Sequence, residues 1–263
     1  MLLPKNDPRF MKQQCILIAS LFLTLGATAQ QKSSTTHAAP NTLSSQEKSQ
    51  GFQLLWDGQT SKGWRKVFAK DFPAQGWELK EGVLTVLPSN GGEEGGGGDI
   101  VTEKTYSAFD LKFEFRLTAG ANSGVKYFVT EAENTGGKSA IGLEYQILDD
   151  ERHPDAKLGK DGDRTLSSLY DLIPRKQIAA AFKPIGEWNE GEIIVLPNNH
   201  VEHWLNGYKM VEYVRGSDAY RQLVAISKYK DWKAFGEAPA GHILLQDHGN
   251  QVSFRSLRIR ILK

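Results

Sequence analysis

The 263-residue chain holds 40% apolar residues and 26 glycines, a globular composition that excludes a wholly disordered chain. Lysine and arginine (32) nearly cancel aspartate and glutamate (31), leaving a net charge of +1, so the broad positive field that a phosphate backbone requires is absent and no nucleic-acid partner is expected. The single cysteine, Cys15, excludes a disulfide framework; because it falls in an expected leader, it also excludes a thiolate nucleophile or thiolate metal site in the mature chain.

From Met11 the sequence runs Met-Lys-Gln-Gln, an apolar stretch from Cys15 to Ala27, then Ala27-Thr28-Ala29. A charged start, a short apolar run and an A-x-A site read as a cleavable secretory signal over residues 1–29, with Met11 the alternative start. The alternative is a buried helix. The run falls short of the roughly 20 residues of a membrane span, so the expected product is periplasmic or secreted with no stable span. Residues 30–50, rich in Ser, Thr, Gln and Ala, read as a disordered tether, and residues 51–263, free of repeats and long linkers, as one domain.

Within that domain residues 83–86 predict a first clear strand, and the glycine-rich run 91–98 predicts a loop. Leu111, Phe113, Phe115 and Leu117 alternate with Lys112, Glu114 and Arg116, the signature of a strand with one buried face. Further short strands are predicted at 124–130, 141–148, 192–196, 200–205, 208–211, 242–246 and 252–261; Asn206-Gly207 between two of them is a two-residue hairpin signal. Only 175–182, bracketed by Pro174 and Pro184, reads as a helical turn or two. Many short strands and few helices predict an all-β chain, an antiparallel β-sandwich of jelly-roll type.

Period two also separates the faces. In 141–147 the odd positions Ile141, Leu143, Tyr145 and Ile147 form a core face, leaving Gly142, Glu144 and Gln146 outside. In 242–248 the residues His242, Leu244, Gln246 and His248 share a side. The polar pairs Glu144/Gln146 and Gln246/His248 are therefore placed where neighbouring strands could present them together on a concave outer face.

Seven segments carry a family likeness in this order: 52–58 (FQLLWDG), 121–128 (ANSGVKYF), 143–150 (LEYQILDD), 168–172 (SLYDL), 186–189 (GEWN), 201–207 (VEHWLNG) and 244–249 (LLQDHG). Together they resemble the 3-keto-disaccharide hydrolase domain family, whose fold is a concanavalin A-like jelly roll, over about residues 51–263. The resemblance implies action on glycosides oxidised at C3 of the sugar. Residues 144–156 and Ser227-Lys228-Tyr229-Lys230 look nearer to members described as 3-keto-glucoside 1,2-lyases.

A C3 ketone acidifies the C2 hydrogen, because the resulting carbanion is an enolate whose collapse expels the C1 substituent. The reaction needs a base at C2–H, a donor or cation at the C3 oxygen and an acid at the leaving oxygen. Water adding to the enone in the same site would make the outcome hydrolysis. His248 is expected as base or acid, Glu144 as base or cation ligand, Lys126 as the enolate's counter-charge and Tyr170 as acid or hydroxyl-binding group. Asn122, Gln146, Gln246 and Trp204 are expected to bind substrate. Each has a bland counterpart: a histidine or carboxylate bonded to nearby backbone or strand, a solvated lysine, a tyrosine or tryptophan packed in the core. His203 lies opposite Trp204, so at most one of the two should line the cleft. The other tryptophans, Trp56, Trp64, Trp77 and Trp188, read as packing residues.

Ordinary glycosidases use two carboxylates across the scissile bond. Laminarinase-like jelly rolls carry Glu-x-Asp-x-x-Glu on one strand; here Glu144 is followed by Gln146 in the middle position, which disfavours that route. The acidic loop Asp149, Asp150 and His153 could hold a divalent cation through oxygen ligands and one imidazole, or be a plain solvated turn; no organic cofactor is expected. The competing functions are a non-catalytic carbohydrate-binding module and a conventional glycoside hydrolase.

Overall fold

The computed structural model describes residues 39–89, 96–131 and 140–263. The expected leader and the first part of the expected tether lie outside these residues, as do positions 91–95 of the glycine-rich run. No helix among the described residues is long and apolar enough to cross a membrane.

In chain order the elements are α1 (Ser45–Ser49), β1 (Gln53–Leu54), β2 (Trp64–Lys66), β3 (Trp77–Lys80), β4 (Val83–Val86), β5 (Ile100–Thr102), β6 (Phe109–Leu117), β7 (Asn122–Thr130), β8 (Ile141–Leu148), β9 (Asn189–Val195), β10 (His200–Leu205), β11 (Tyr208–Val214), α2 (Asp218–Ala225), β12 (His242–Leu245) and β13 (Val252–Ile261). They form an antiparallel jelly-roll sandwich of the concanavalin A type, as the alternating pattern predicts. One sheet runs β11-β10-β9-β6-β13-β4-β3, with β1 also on β13; the other runs β2-β5-β12-β7-β8. The Asn206-Gly207 turn joins β10 to β11, both residues taking positive φ (50° and 83°) as such a hairpin demands.

The core lies between the sheets. Phe109, Leu111, Phe113 and Phe115 from β6 face Val125, Tyr127, Leu143, Tyr145 and Ile147 from β7 and β8, all buried. Phe113 meets Tyr145 edge-on at 5.3 Å between centroids; burying each such ring contributes on the order of 1.5–3 kcal/mol. His203 also points inward, its Nε2 hydrogen-bonded to the Tyr127 hydroxyl (2.8 Å), which is itself bonded to Tyr213 (2.7 Å). Burial holds the imidazole down to a pKa of about 4, so it is neutral.

Residues 39–50 depart from the predicted tether. Ser44 and Glu47 form a capping box at α1. Asn41 Nδ2–H donates to Gly82 O, and Asn41 Oδ1 accepts the Ser256 N–H, both at 2.8 Å. Glu47 pairs with Arg258. Polar side chains satisfied by distant strand residues anchor this segment, where apolar burial could not. In the expected helical stretch 175–182, only Ala179–Ala181 makes a 3₁₀ turn.

Candidate active site

A cleft of about 1170 Å³ opens over the outer face of the five-stranded sheet. Its floor comes from alternation along the central strands: Lys126 and Glu144 are cross-strand partners, as are Gly124 and Gln146. Gln246 follows on beyond β12, its N–H donating to Gly124 O (3.0 Å). On the β2–β5 side the wall is the turn at Lys66–Phe68 with Asp99; on the β8 side it is residues 153–158, Tyr170 and 228–232. Tyr170 is held at that edge by its N–H, which donates to Glu144 O (3.1 Å).

Glu144 is 5% exposed. Space for its carboxylate exists because residue 124 is glycine: a Cβ there would stand 2.2 Å from Glu144 Oε1. Burial pushes the carboxyl above its ordinary value, and Asp99 adds to this; Lys126, Lys228 and His248 oppose it. Lys228, noted in the sequence only for its likeness to the lyase members and given no role there, sits with its Nζ 4.1 Å over the Tyr170 ring. Its backbone N–H donates to Asp171 Oδ2 (2.7 Å). Burial lowers its pKa, with Glu144 pulling the other way and Lys126 assisting. A buried carboxylate near two lysines is thus the centre of the cleft.

The other carboxylates lining the cleft already have partners. Asp99 pairs with Lys126 (3.9 Å) and accepts the Asp247 N–H (2.9 Å). Asp155 Oδ1 accepts from Arg164 and Oδ2 from the Tyr170 hydroxyl (2.9 and 2.8 Å). Asp247 accepts the N–H groups of Gly98 and Gly249 (2.9 and 3.0 Å). Glu131 forms a bidentate pair with Arg65 (2.9 and 2.8 Å).

The cleft brings together most of the residues singled out in the sequence: Asn122, Lys126, Glu144, Gln146, His153, Tyr170, Gln246 and His248. His153 and His248 meet edge to face, centroids 5.7 Å apart. The buried carbonyl oxygens Asn122 Oδ1 and Gln246 Oε1 have no hydrogen-bond partner; Asn122 is only 3% exposed. Gln146 Oε1 instead turns back to accept the Ile147 N–H (3.1 Å). Burial and the bond to Asp155 raise the Tyr170 pKa, so its hydroxyl stays protonated and already donates to that carboxylate. Its remaining capacity is to accept a bond, which favours hydroxyl binding over acid duty.

Three expectations fail. Trp204 lies on the outer face of the larger sheet with its Nε1–H donating to Glu202 Oε2 (2.7 Å); since His203 is in the core, neither member of that pair lines the cleft. Asp149 and Asp150 also lie off it. Burial works against the Asp149 charge, but the N–H groups of Gly120, Glu151 and Arg152 and the Arg152 guanidinium hold it below the ordinary range. Asp150 pairs with Arg175 (2.7 Å) and accepts the Leu166 N–H (2.8 Å). His153 Nδ1 caps a 3₁₀ turn by accepting the Asp155 N–H (3.2 Å). With both carboxylates saturated by the chain itself, this trio does not fit a metal ion. The metal-like grouping among the described residues is His200, Glu202 and Glu212 on the larger sheet, with ligand atoms within 4.8 Å of one another. Lys209 Nζ already supplies the cation there, at 3.3 Å from Glu202 and 2.5 Å from Glu212.

Comparison with known proteins identifies a family for the chain. Residues 51–260 match the 3-keto-alpha-glucoside-1,2-lyase-like domain. A Bacteroides thetaiotaomicron protein named 3-keto-disaccharide hydrolase is 35% identical over 232 residues, 81% of this chain and 79% of the relative. A crystal structure from Parabacteroides distasonis, provisionally classed as a glycosyl hydrolase, is 29% identical with a TM-score of 0.73, covering 86% of this chain and all of that one. A second from the same organism and class is 27% identical with a TM-score of 0.55, covering 76% and 99%.

Proposed function

The chain belongs to the 3-keto-alpha-glucoside-1,2-lyase-like domain family and is a carbohydrate-cleaving enzyme; on that premise we propose that it cleaves glycosides carrying a ketone at C3 of the sugar, by removing the C2 proton and expelling the C1 substituent. The observation that carries this reading is Glu144, a buried carboxylate near two lysines, in a cleft whose other carboxylates already have partners. One poised base beside cations suits enolate formation; a double-displacement glycosidase needs two carboxylates at work across the bond.

In this scheme the Glu144 carboxylate takes the C2 proton, and the C2–H electron pair moves into the C2–C3 bond and onto the ketone oxygen. Lys126 and Lys228 supply positive charge for that oxygen. As the enolate collapses, the C1–O bond breaks and its electron pair leaves on the departing oxygen, which His248 protonates. Asn122 Oδ1 and Gln246 Oε1 accept bonds from substrate hydroxyls, which would satisfy both orphaned carbonyls. The product is an enone, released as such or hydrated in the same cleft to give net hydrolysis. The leader expected at residues 1–29 supports a periplasmic or secreted site of action.

Incubation with 4-nitrophenyl glucoside and its 3-keto counterpart tests the proposal. Cleavage of the keto compound alone is expected; in deuterated water an enone product has no hydrogen left at C2, whereas a product hydrated in the cleft carries deuterium there. Equal cleavage of the plain glucoside would return the site to conventional hydrolysis, and cleavage of neither would leave a binding module.

A further inference from the structure

Phe68 projects into the cleft from the turn after β2. It is 48% exposed, with its backbone at φ +60°, a conformation that a bulky side chain rarely adopts. The surroundings force it there. Its N–H donates to Glu131 Oε1, and Glu131 is fixed by its bidentate pair with Arg65. Arg65 Nη1 also donates to Ala69 O (3.2 Å), closing the other side of the turn. A glycine would take this backbone conformation without the strain and without leaving a ring in water, so nothing in the stability of the turn accounts for the phenyl group. Leu158, 56% exposed, and the half-buried Trp232 add apolar surface to the same cleft. At about 1170 Å³ the cleft is larger than a single sugar ring fills.

We infer that Phe68 is one wall of a leaving-group subsite that receives a flat apolar ring, an aryl aglycone attached at C1. A second sugar would bring hydroxyls that need partners, and beside Phe68 the Arg65 and Glu131 side chains are consumed by each other, leaving Lys66 as the charged group of that turn that lines the cleft. A phenyl ring instead offers stacking area, which suits an aromatic group. This subsite rests on the keto-glycoside reading for its role in turnover, though not for its affinity.

Two measurements separate the two ideas. In kinetics, Phe68→Gly is expected to lower the ratio of kcat/KM for 3-keto phenyl glucoside over 3-keto methyl glucoside by about tenfold; an unchanged ratio overturns the subsite, while no turnover of either compound by the unaltered protein overturns only the reaction. In titration calorimetry with plain phenyl glucoside, methyl glucoside and a glucose disaccharide, the unaltered protein should bind the phenyl compound tightest, and Phe68→Gly should erase that preference. Equal affinities in the unaltered protein, a preference surviving in the variant, or a disaccharide losing as much affinity as the phenyl compound would each overturn the assignment. Glycine relieves the positive φ, so a thermal midpoint at or above that of the unaltered protein shows that lost affinity is not lost folding.

Discussion

On the outer face of the larger sheet, Arg255 meets Glu114 at 2.7 Å, Arg258 meets Glu190 at 2.8 Å and Lys112 meets Glu192 at 3.9 Å, charges of opposite sign following one another across β13, β6 and β9. On the outer face of the smaller sheet, Lys126 and Glu144 are cross-strand partners at the same two-residue period, yet Glu144 is buried with its carboxyl raised above the ordinary value. Alternation makes both faces polar. Burial alone does not separate them, since Glu192 and Arg258 are buried as well; what does is pairing: a carboxylate at ion-pair distance from its neighbour is structural, whereas a desolvated carboxylate with its charge unfavoured is held ready for a proton.

The largest break in this comparison is Glu144→Gln. Turnover of a 3-keto glycoside should fall by at least about 10²-fold while circular dichroism stays unchanged. In the unaltered enzyme kcat/KM should fall on acidification through a pKa above the ordinary carboxylate value of 4.5, because the base must be unprotonated. Stability should move oppositely. The folded chain holds the Glu144 proton more tightly than the unfolded chain does, so its ionisation costs stability as pH rises through that range. Glu144→Gln should therefore raise the thermal midpoint at neutral pH, with the gain fading at low pH; a lower midpoint at neutral pH would show that the carboxylate is a structural partner like those of the larger sheet.

Next in size is Gly124→Ala. The new Cβ would lie 2.2 Å from Glu144 Oε1 and 2.9 Å from its Cδ, so the carboxylate must move while its identity is kept. Activity should drop by about 10- to 10²-fold, since displacement by about an ångström is enough for such losses. Near-normal activity would mean that the carboxylate position is not critical.

Alternation along β6, β8 and β12 made the two faces legible in the sequence, and with them Glu144, Gln146 and Gln246 on the cleft floor. It could not reveal how far each outward position is covered. Trp204 and Glu144 both alternate away from the core, but nothing in the local pattern says that one belongs to the larger sheet's back and the other to the cleft. Lys228 escaped because a loop carries it to β8 from far along the chain, tied by Asp171 without any periodic signal. The segment at 41–50 was misread for a related reason: its polar side chains find partners more than 200 positions away, at Ser256 and Arg258.

The smallest effect belongs to the larger sheet. Glu114→Gln removes the partner of Arg255, but that guanidinium also lies 4.0 Å over the Trp188 ring and keeps that contact. Both partners remain partly exposed, at 25% and 15%. The pair should then contribute about 0.2–1 kcal/mol, a shift in thermal midpoint of no more than about 4 °C for a domain of this size. Turnover should stay within twofold of the unaltered enzyme, because no residue of this face reaches the cleft. A loss of turnover from Glu114→Gln comparable to that from Gly124→Ala would mean that the two faces are coupled through the core that separates them, where Phe113 and Tyr145, the chain neighbours of Glu114 and Glu144, meet edge-on.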